Sequence, residues 1–315
     1  MEKKIIAVTG ATGAQGGGLV RAILDDETGE FGVRALTRDP DSDKAKALAD
    51  MGAEIVAADL DDLESLERAF DGAWGAYCVT FFWEHFSPEK EMNNAQALAE
   101  AARSAGLKHV IWSTLEDTRK WVPLDDDRMP TLMEKYKVPH FDAKGESNAF
   151  FEEAGVPTTF LLTSFYWDNL IHFGMGPRRN ENGSLSFALP MGQAKLPGMA
   201  AEDIGRCALG VFHRSAEFAG KTIGICGEQL TGGEMAARLG EAFGENVDYT
   251  AVPFDVYRGL GFPGAEDLGN MFQFKHDFEE EFCRQRDPEF SRELNPKLQS
   301  FAQWVGANKE RIPIQ

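Results

Sequence analysis

The chain has 315 residues, enough for one large domain or two ordinary ones, with a sizeable core either way. Its 43% hydrophobic and 26% charged residues give the balance of a folded globular protein and exclude a disordered one. A formal net charge of −19 repels nucleic-acid backbones and anionic membrane surfaces, so neither is an expected partner.

The chain enters the apolar run Ile5-Ile6-Ala7-Val8 at once, which leaves no room for a secretory leader, and no apolar stretch reaches the length of a membrane span. A cytoplasmic protein is the expectation. Cys78, Cys207, Cys226 and Cys283 form no Cys-x-x-Cys or zinc-type pairing and read as reduced packing residues. The histidines show no ligand spacing, so no metal is assigned.

In chain order, candidate strands over 4–9, 33–37, 54–57, 76–80 and 108–113 alternate with helical patterns over 15–24, 43–51, 63–70 and 89–105. Such alternation predicts right-handed βαβ crossovers and a parallel sheet buried on both faces, the doubly wound α/β arrangement. Residues 117–138, with Asp125 to Asp127 among Pro123, Pro130 and Pro139, predict a long loop or flap that is a candidate moving element. A helix over 140–153 and a strand over 158–163 that rejoins the sheet follow. Past Ser164 the pattern becomes a mixture of short elements. Strands are expected over 184–189, 222–226 and 247–252. Helices are expected over 202–212 and over 232–243, where Thr231-Gly-Gly-Glu234 fits a capping box. The last pattern, 297–308, predicts a docking helix through Leu298, Phe301 and Trp304.

The strongest motif follows the first strand: Thr9-Gly10-Ala11-Thr12-Gly13-Ala14-Gln15-Gly16-Gly17. Gly10 permits a sharp turn, Gly13 lets backbone N–H groups approach a pyrophosphate, and Gly16 lets the helix pack on the sheet. The positive end of that helix then faces the phosphates. Gly10, Thr12, Gly13, Ala14, Gln15 and Gly16 are therefore the candidate phosphate-binding residues. At the end of the second strand, where an acid would hold the ribose 2′-OH of NAD, the chain has Thr37-Arg38-Asp39. A guanidinium there clamps a 2′-phosphate. A charge pair at about 4 Å is worth on the order of 4 kcal/mol at surface-like dielectric, and half of that exceeds a tenfold preference. NADP is the expected cofactor, ahead of NAD. Asp59 and Leu60, just past the third strand, are candidates beside the adenine, with helix capping an open alternative for Asp59. Thr80 and Phe82, in Val79-Thr80-Phe81-Phe82-Trp83, should border the ribose and nicotinamide.

Gly10-Ala-Thr-Gly-Ala-Gln-Gly-Gly17, Thr37-Arg38, His140-Phe-Asp-Ala-Lys144-Gly-Glu146 and Gly259-Leu-Gly-Phe-Pro-Gly264 together resemble the NmrA-like family, an atypical branch of the short-chain dehydrogenase/reductases. The resemblance extends to Asn295-Pro-Lys297 and Gln303-Trp304, and is strongest to the family's NADP(H)-responsive redox sensors. It implies a Rossmann-type NADP-binding domain over 1–164 and a smaller, partly interleaved α+β domain over 165–315.

One departure controls the chemistry. Active short-chain dehydrogenases use Tyr-x-x-x-Lys, in which the lysine lowers the tyrosine pKa from about 10. This chain has His140-x-x-x-Lys144, and Tyr136 is too far back to serve. The resemblance implies that Lys144 holds the nicotinamide ribose and that Phe165 and Tyr166 wall its pocket. His140 is open between proton donor and helix cap. Ser113 is open between polarising a substrate and satisfying local backbone.

Two functions follow as expectations. One is an NADP(H)-binding redox sensor or regulator with little or no dehydrogenase activity, acting through a protein partner or self-association. The other is an NADPH-dependent reductase of quinone, carbonyl or azo-type acceptors, flat and aromatic, using Lys144.

Overall fold

Short apolar runs bounded by glycine form the strands, and amphipathic stretches between them form the helices, in the computed structural model, which describes residues 3–314. Contacts divide the chain into two units. The first takes the chain up to Asp117 with His140–Thr163 and Ile204–Ile223; the second takes Thr118–Pro139, Ser164–Asp203 and the chain from Gly224.

In the first unit the order is β1 (Lys4–Val8), α1 (Ala14–Leu24), β2 (Phe31–Thr37), α2 (Asp43–Asp50), β3 (Glu54–Ala57), α3 (Leu63–Phe70), β4 (Gly75–Cys78), α4 (Pro88–Ser104), β5 (His109–Thr114), α5 (Pro139–Glu146), α6 (Asn148–Ala154) and β6 (Thr158–Leu162). The sheet runs β3-β2-β1-β4-β5-β6, parallel at each of these pairings, with Thr222–Gly224 beside β6. Strand order therefore reverses between β1 and β4, the point at which such sheets bind ligands beyond their carboxyl ends. Every residue of β4, β5 and β6 is buried, as in strands covered on both faces. Leu66, Ala69 and Phe70 of α3 share a core with Ala95, Leu98, Ala99 and Ala102 of α4. Ser42, Asp62 and Ser87 cap α2, α3 and α4 through the N–H groups of Ala45, Ser65 and Lys90.

The glycine run of α1 has a structural use beyond its turn. A Cβ on Gly205, in the helix Ala201–His213, would lie 2.1 Å from Leu19 N and 2.2 Å from Gly18 C. The two helix backbones touch there, and no side chain fits. At the start of β5, His109 is fully buried and its Nε2 lies 2.8 Å from Thr159 Oγ1. The Thr159 hydroxyl donates to Phe218 O, so it accepts from the imidazole. Burial pushes the His109 pKa down to about 4.

The second unit contains two small sheets. One joins Phe165–Tyr166, Lys195–Met199 and Glu228–Thr231; the other joins Arg178–Arg179, Leu185–Leu189 and Val247–Ala251. The Thr231–Glu234 capping box opens the helix Gly232–Phe243, as its spacing predicts. The helix Ala265–Asp277 was not evident from periodicity, because it is buried along most of its length and carries no single apolar stripe.

Two expectations change. The helix over 140–153 is two helices, broken at Ser147, whose hydroxyl donates to Ala143 O at 2.7 Å and competes with the backbone ladder. The segment over 117–138 is a loop, as its prolines predict, but one held by hydrogen bonds along its length. Lys137 is buried and donates to Asp126 O and Met129 O, both at 2.8 Å. Asn270 reaches Pro130 O and Lys137 O, and Gln273 reaches Arg128 O. Val122, Met129, Tyr136 and Val138 bury its apolar side chains. Among the described residues no helix is long and apolar enough to cross a membrane.

Gly205→Ala should destabilise the protein by about 1–3 kcal/mol in urea unfolding, because backbone must move. Gly306→Ala, in a helix where a Cβ would meet nothing within 4 Å, should stabilise it by up to about 1 kcal/mol. His109 is neutral in the fold but titrates near 6.5 when unfolded, so the unfolded chain binds the extra proton between those values. Its contribution is intact above pH 6.5 and should fall by roughly 3 kcal/mol as the pH drops to about 4. His109→Gln should flatten the stability profile in that window.

Candidate functional site

The end of β1 is locked to the chain beyond β4. Thr9 Oγ1 donates to Val79 O at 3.0 Å and accepts the Val79 N–H at 2.8 Å. The chain then reverses through Gly10, whose φ of +60° lies in the left-handed region, and Gly13 N–H returns to Gly10 O at 2.9 Å. A Cβ on Gly16 would fall 2.4 Å from Gly10 O and 2.6 Å from Thr9 O, so α1 starts pressed against the turn. Gly13 and Ala14 are exposed, with Thr12 and Gln15 partly so. Gly13 caps α1 without a side-chain acceptor, unlike the caps of α2, α3 and α4. A helix start of this kind, without a side-chain acceptor at its cap, suits an anion.

Arg38 immediately follows β2, and its Nη1 lies 2.6 Å from Glu84 Oε1, with both side chains about half exposed. Hydrogen bonding and charge from Glu84 raise its pKa further. Asp39 is committed elsewhere: its carboxylate accepts the Asp41 N–H at 3.0 Å and shapes the turn into α2. Asp59 similarly accepts the Asp61 N–H at 3.0 Å, while the capping of α3 falls to Asp62. Leu60 is partly buried, and its carbonyl accepts from Asn94 Nδ2 at 3.1 Å.

Lys144 lies on α5, and its ammonium enters a buried network. Its Nζ donates to Thr80 Oγ1 at 2.6 Å and lies 2.9 Å from Glu91 Oε1. It sits 4.9 Å above the Trp112 ring, a cation–π distance. Glu91, in the first turn of α4, is fully buried; Thr80 Oγ1 donates to its Oε1 at 2.5 Å, and His85 Nε2 lies 3.4 Å from its Oε2. Burial alone would push the Glu91 pKa up. The Lys144 charge, the nearby His85 ring and the hydrogen bonds from Thr80 and Lys144 outweigh it and hold the carboxyl at about 2.

His140 stands one turn before Lys144 as the second residue of α5, not at its cap. Its buried ring packs 4.7 Å from Trp83 and 5.9 Å from Phe82. Ser113, near the end of β5, donates to Gln15 Oε1 at 2.8 Å, and Tyr77 OH donates to the same oxygen at 2.5 Å. Gln15 thus ties α1 to β4 and β5.

The first unit brings together the glycine turn, Arg38, Thr80, Phe82, Ser113, His140 and Lys144. Phe165 and Tyr166 belong to the second unit, where they pair with Gly198 and Met199. Glu84, His85, Glu91 and Tyr77 were not singled out from the sequence. Glu91 carried no signal beyond being an ordinary first-turn acid, where charge favours the helix dipole.

The NmrA-like family model matches residues 2–305. The chain is 30% identical over 293 residues to the NmrA-like family domain-containing oxidoreductase FrzB of a Cladobotryum species, covering 86% of this chain and 83% of that one. Among solved structures it resembles NmrA, a negative transcriptional regulator, in complex with NADP, with a TM-score of 0.78, 22% identity and coverage of 97% and 95%. It also resembles a Citrobacter triphenylmethane reductase complexed with NADP(H), with a TM-score of 0.76, 22% identity and coverage of 96% and 99%. Both likenesses are of fold, a Rossmann-like parallel sheet, while the matched family model spans almost the whole sequence. This chain belongs to the NmrA-like family.

Proposed function

We propose that this protein binds NADP(H) in its first unit and acts as a sensor or regulator of that cofactor, with little or no dehydrogenase activity. The observation that carries the reading is a tight glycine turn, with no room for a Cβ at Gly16, at a start of α1 that no side chain of its N-cap residue caps, together with an exposed guanidinium directly after β2. The residues fit a dinucleotide. Gly10, Thr12, Gly13, Ala14, Gln15 and Gly16 would hold the pyrophosphate, and Arg38 the 2′-phosphate. Asp59 and Leu60 would lie toward the adenine. Thr80, Phe82 and Lys144 would lie toward the nicotinamide ribose. Two solved structures of similar fold were determined with NADP or NADP(H).

A bound nicotinamide would supply hydride transfer. The chain's own residues are better suited to holding than to moving protons. Lys144 is paired with a buried carboxylate, and position 140 carries an imidazole enclosed by aromatic rings instead of a phenol. Sensing requires two protein states of unequal affinity, read out by a protein partner or a second copy.

A second reading, an NADPH-dependent reductase of quinone, carbonyl or azo-type acceptors, is favoured by the oxidoreductase designation of the 30%-identical Cladobotryum relative. NADPH oxidation against a panel of such acceptors separates the two. The regulator binds NADPH and turns over none of them; turnover that vanishes in Lys144→Met, with binding retained, would establish the reductase.

The Lys144 variant needs its own control. Removing one partner of a buried ion pair strands the other charge, so Lys144→Met should cost about 3–5 kcal/mol in thermal or urea unfolding. Adding Glu91→Gln should recover much of that loss. Arg38→Ala should weaken NADPH at least about tenfold and NADH little, measured by titration calorimetry. Equal losses for the two cofactors would remove Arg38 from the 2′ position.

A further inference from the structure

The loop that follows β4 places a carboxylate on the guanidinium assigned to the 2′-phosphate. Glu84 closes the short 3-10 turn Phe82–Glu84, and the 2.6 Å contact of its Oε1 with Arg38 Nη1 joins that turn to the end of β2. Asp59 and Asp61 add negative potential around Arg38. The nearby cation Lys90 is itself engaged by Asp61 at 2.6 Å. A phosphate arriving here would meet a guanidinium already paired and a surround of acids.

A ribose 2′-hydroxyl meets the opposite situation. It is uncharged, and a carboxylate accepts its proton in a hydrogen bond, the part an acid plays in NAD-selective sheets. Asp39 stands at the usual place for that acid, but its carboxylate is turned onto the Asp41 N–H. Glu84 reaches the same guanidinium from a different loop.

We propose that Glu84 is a specificity-determining residue of the dinucleotide site, which competes with the 2′-phosphate for Arg38 and accepts a hydrogen bond from the 2′-hydroxyl. Arg38 and Glu84 then oppose one another, and the site takes both NADP(H) and NAD(H). This rests on the reading of Arg38 as the 2′ end of the site. The pair also distinguishes the two ligands mechanically. A phosphate displaces Glu84 and a hydroxyl does not, and the same loop carries Trp83 against His140 and His85 against Glu91.

The test is titration calorimetry of NADP+ and NAD+ on the full chain, the Glu84→Gln variant and the Arg38→Ala variant, at two salt concentrations. Both positions are on the surface, so the variants should fold. Glu84→Gln should raise the ratio of NADP+ to NAD+ affinity at least about fivefold, and less at high salt as screening grows. A ratio that is unchanged or lower in Glu84→Gln overturns the proposal, and a lower one would make Glu84 a support for Arg38. Arg38→Ala tests the underlying reading separately, since it should lose NADP+ selectively whatever Glu84 does. Failure of the unsubstituted protein to bind either dinucleotide would overturn both.

Discussion

Backbone meets backbone along α1, and the site depends on that closeness. On one side the helix starts against the turn from β1, where a Cβ on Gly16 would lie 2.4 Å from Gly10 O. On another, the chain at Gly18 and Leu19 touches the helix that contains Gly205. Held at both places, α1 cannot shift without moving the end of β1 or that second helix. Its amino end is therefore fixed at the reversal of strand order, open to solvent and uncapped by any side chain. Gln15 adds a polar tie to β4 and β5 through Tyr77 and Ser113. Rigidity of this kind is what lets backbone N–H groups bind an anion without reorganising.

The second constraint is electrostatic. Taking Glu91 and Lys144 out of water costs several kcal/mol for each ion, and the pair survives through their mutual contact and the partners that gather on Glu91 Oε1 and the ammonium. Thr80 serves both charges, His85 faces the far carboxylate oxygen, and Trp112 offers its ring face to the ammonium. Such a network fixes the place of the lysine more than it adds to stability. It also ties α4, α5 and the loop after β4 into one structure around a single side chain. Lys144 therefore has a structural partner of its own.

The two ends of the proposed site are joined by the segment from Thr80 to His85. Thr80 and His85 belong to the lysine network, Glu84 to the arginine, and Phe82 and Trp83 to the ring of His140. The acid-rich surround of Arg38 accords with the composition of the chain, which has 51 acids to 32 bases.

The sequence by itself determined the sheet and the turn. Alternation of apolar runs with helical spacing is a local signal, and the strands and helices up to β5 lie within a residue or two of their expected places. Ser42 and Thr231 are recognisable caps because a cap acts over three residues. The glycine turn and Arg38 were legible for the same reason: each role depends on neighbours in the chain. Only the tertiary structure decided that Glu91 lies beneath Lys144, that Glu84 meets Arg38, and that Gly205 lies against α1. Those residues are separated by tens to nearly two hundred positions, and a first-turn glutamate or a helical glycine looks the same in sequence whether it is solvated or pressed against a partner. The segment over 117–138 belongs to the same class. Its polarity and prolines signal a loop, but the Asn270 and Gln273 side chains that satisfy its carbonyls come from far along the chain.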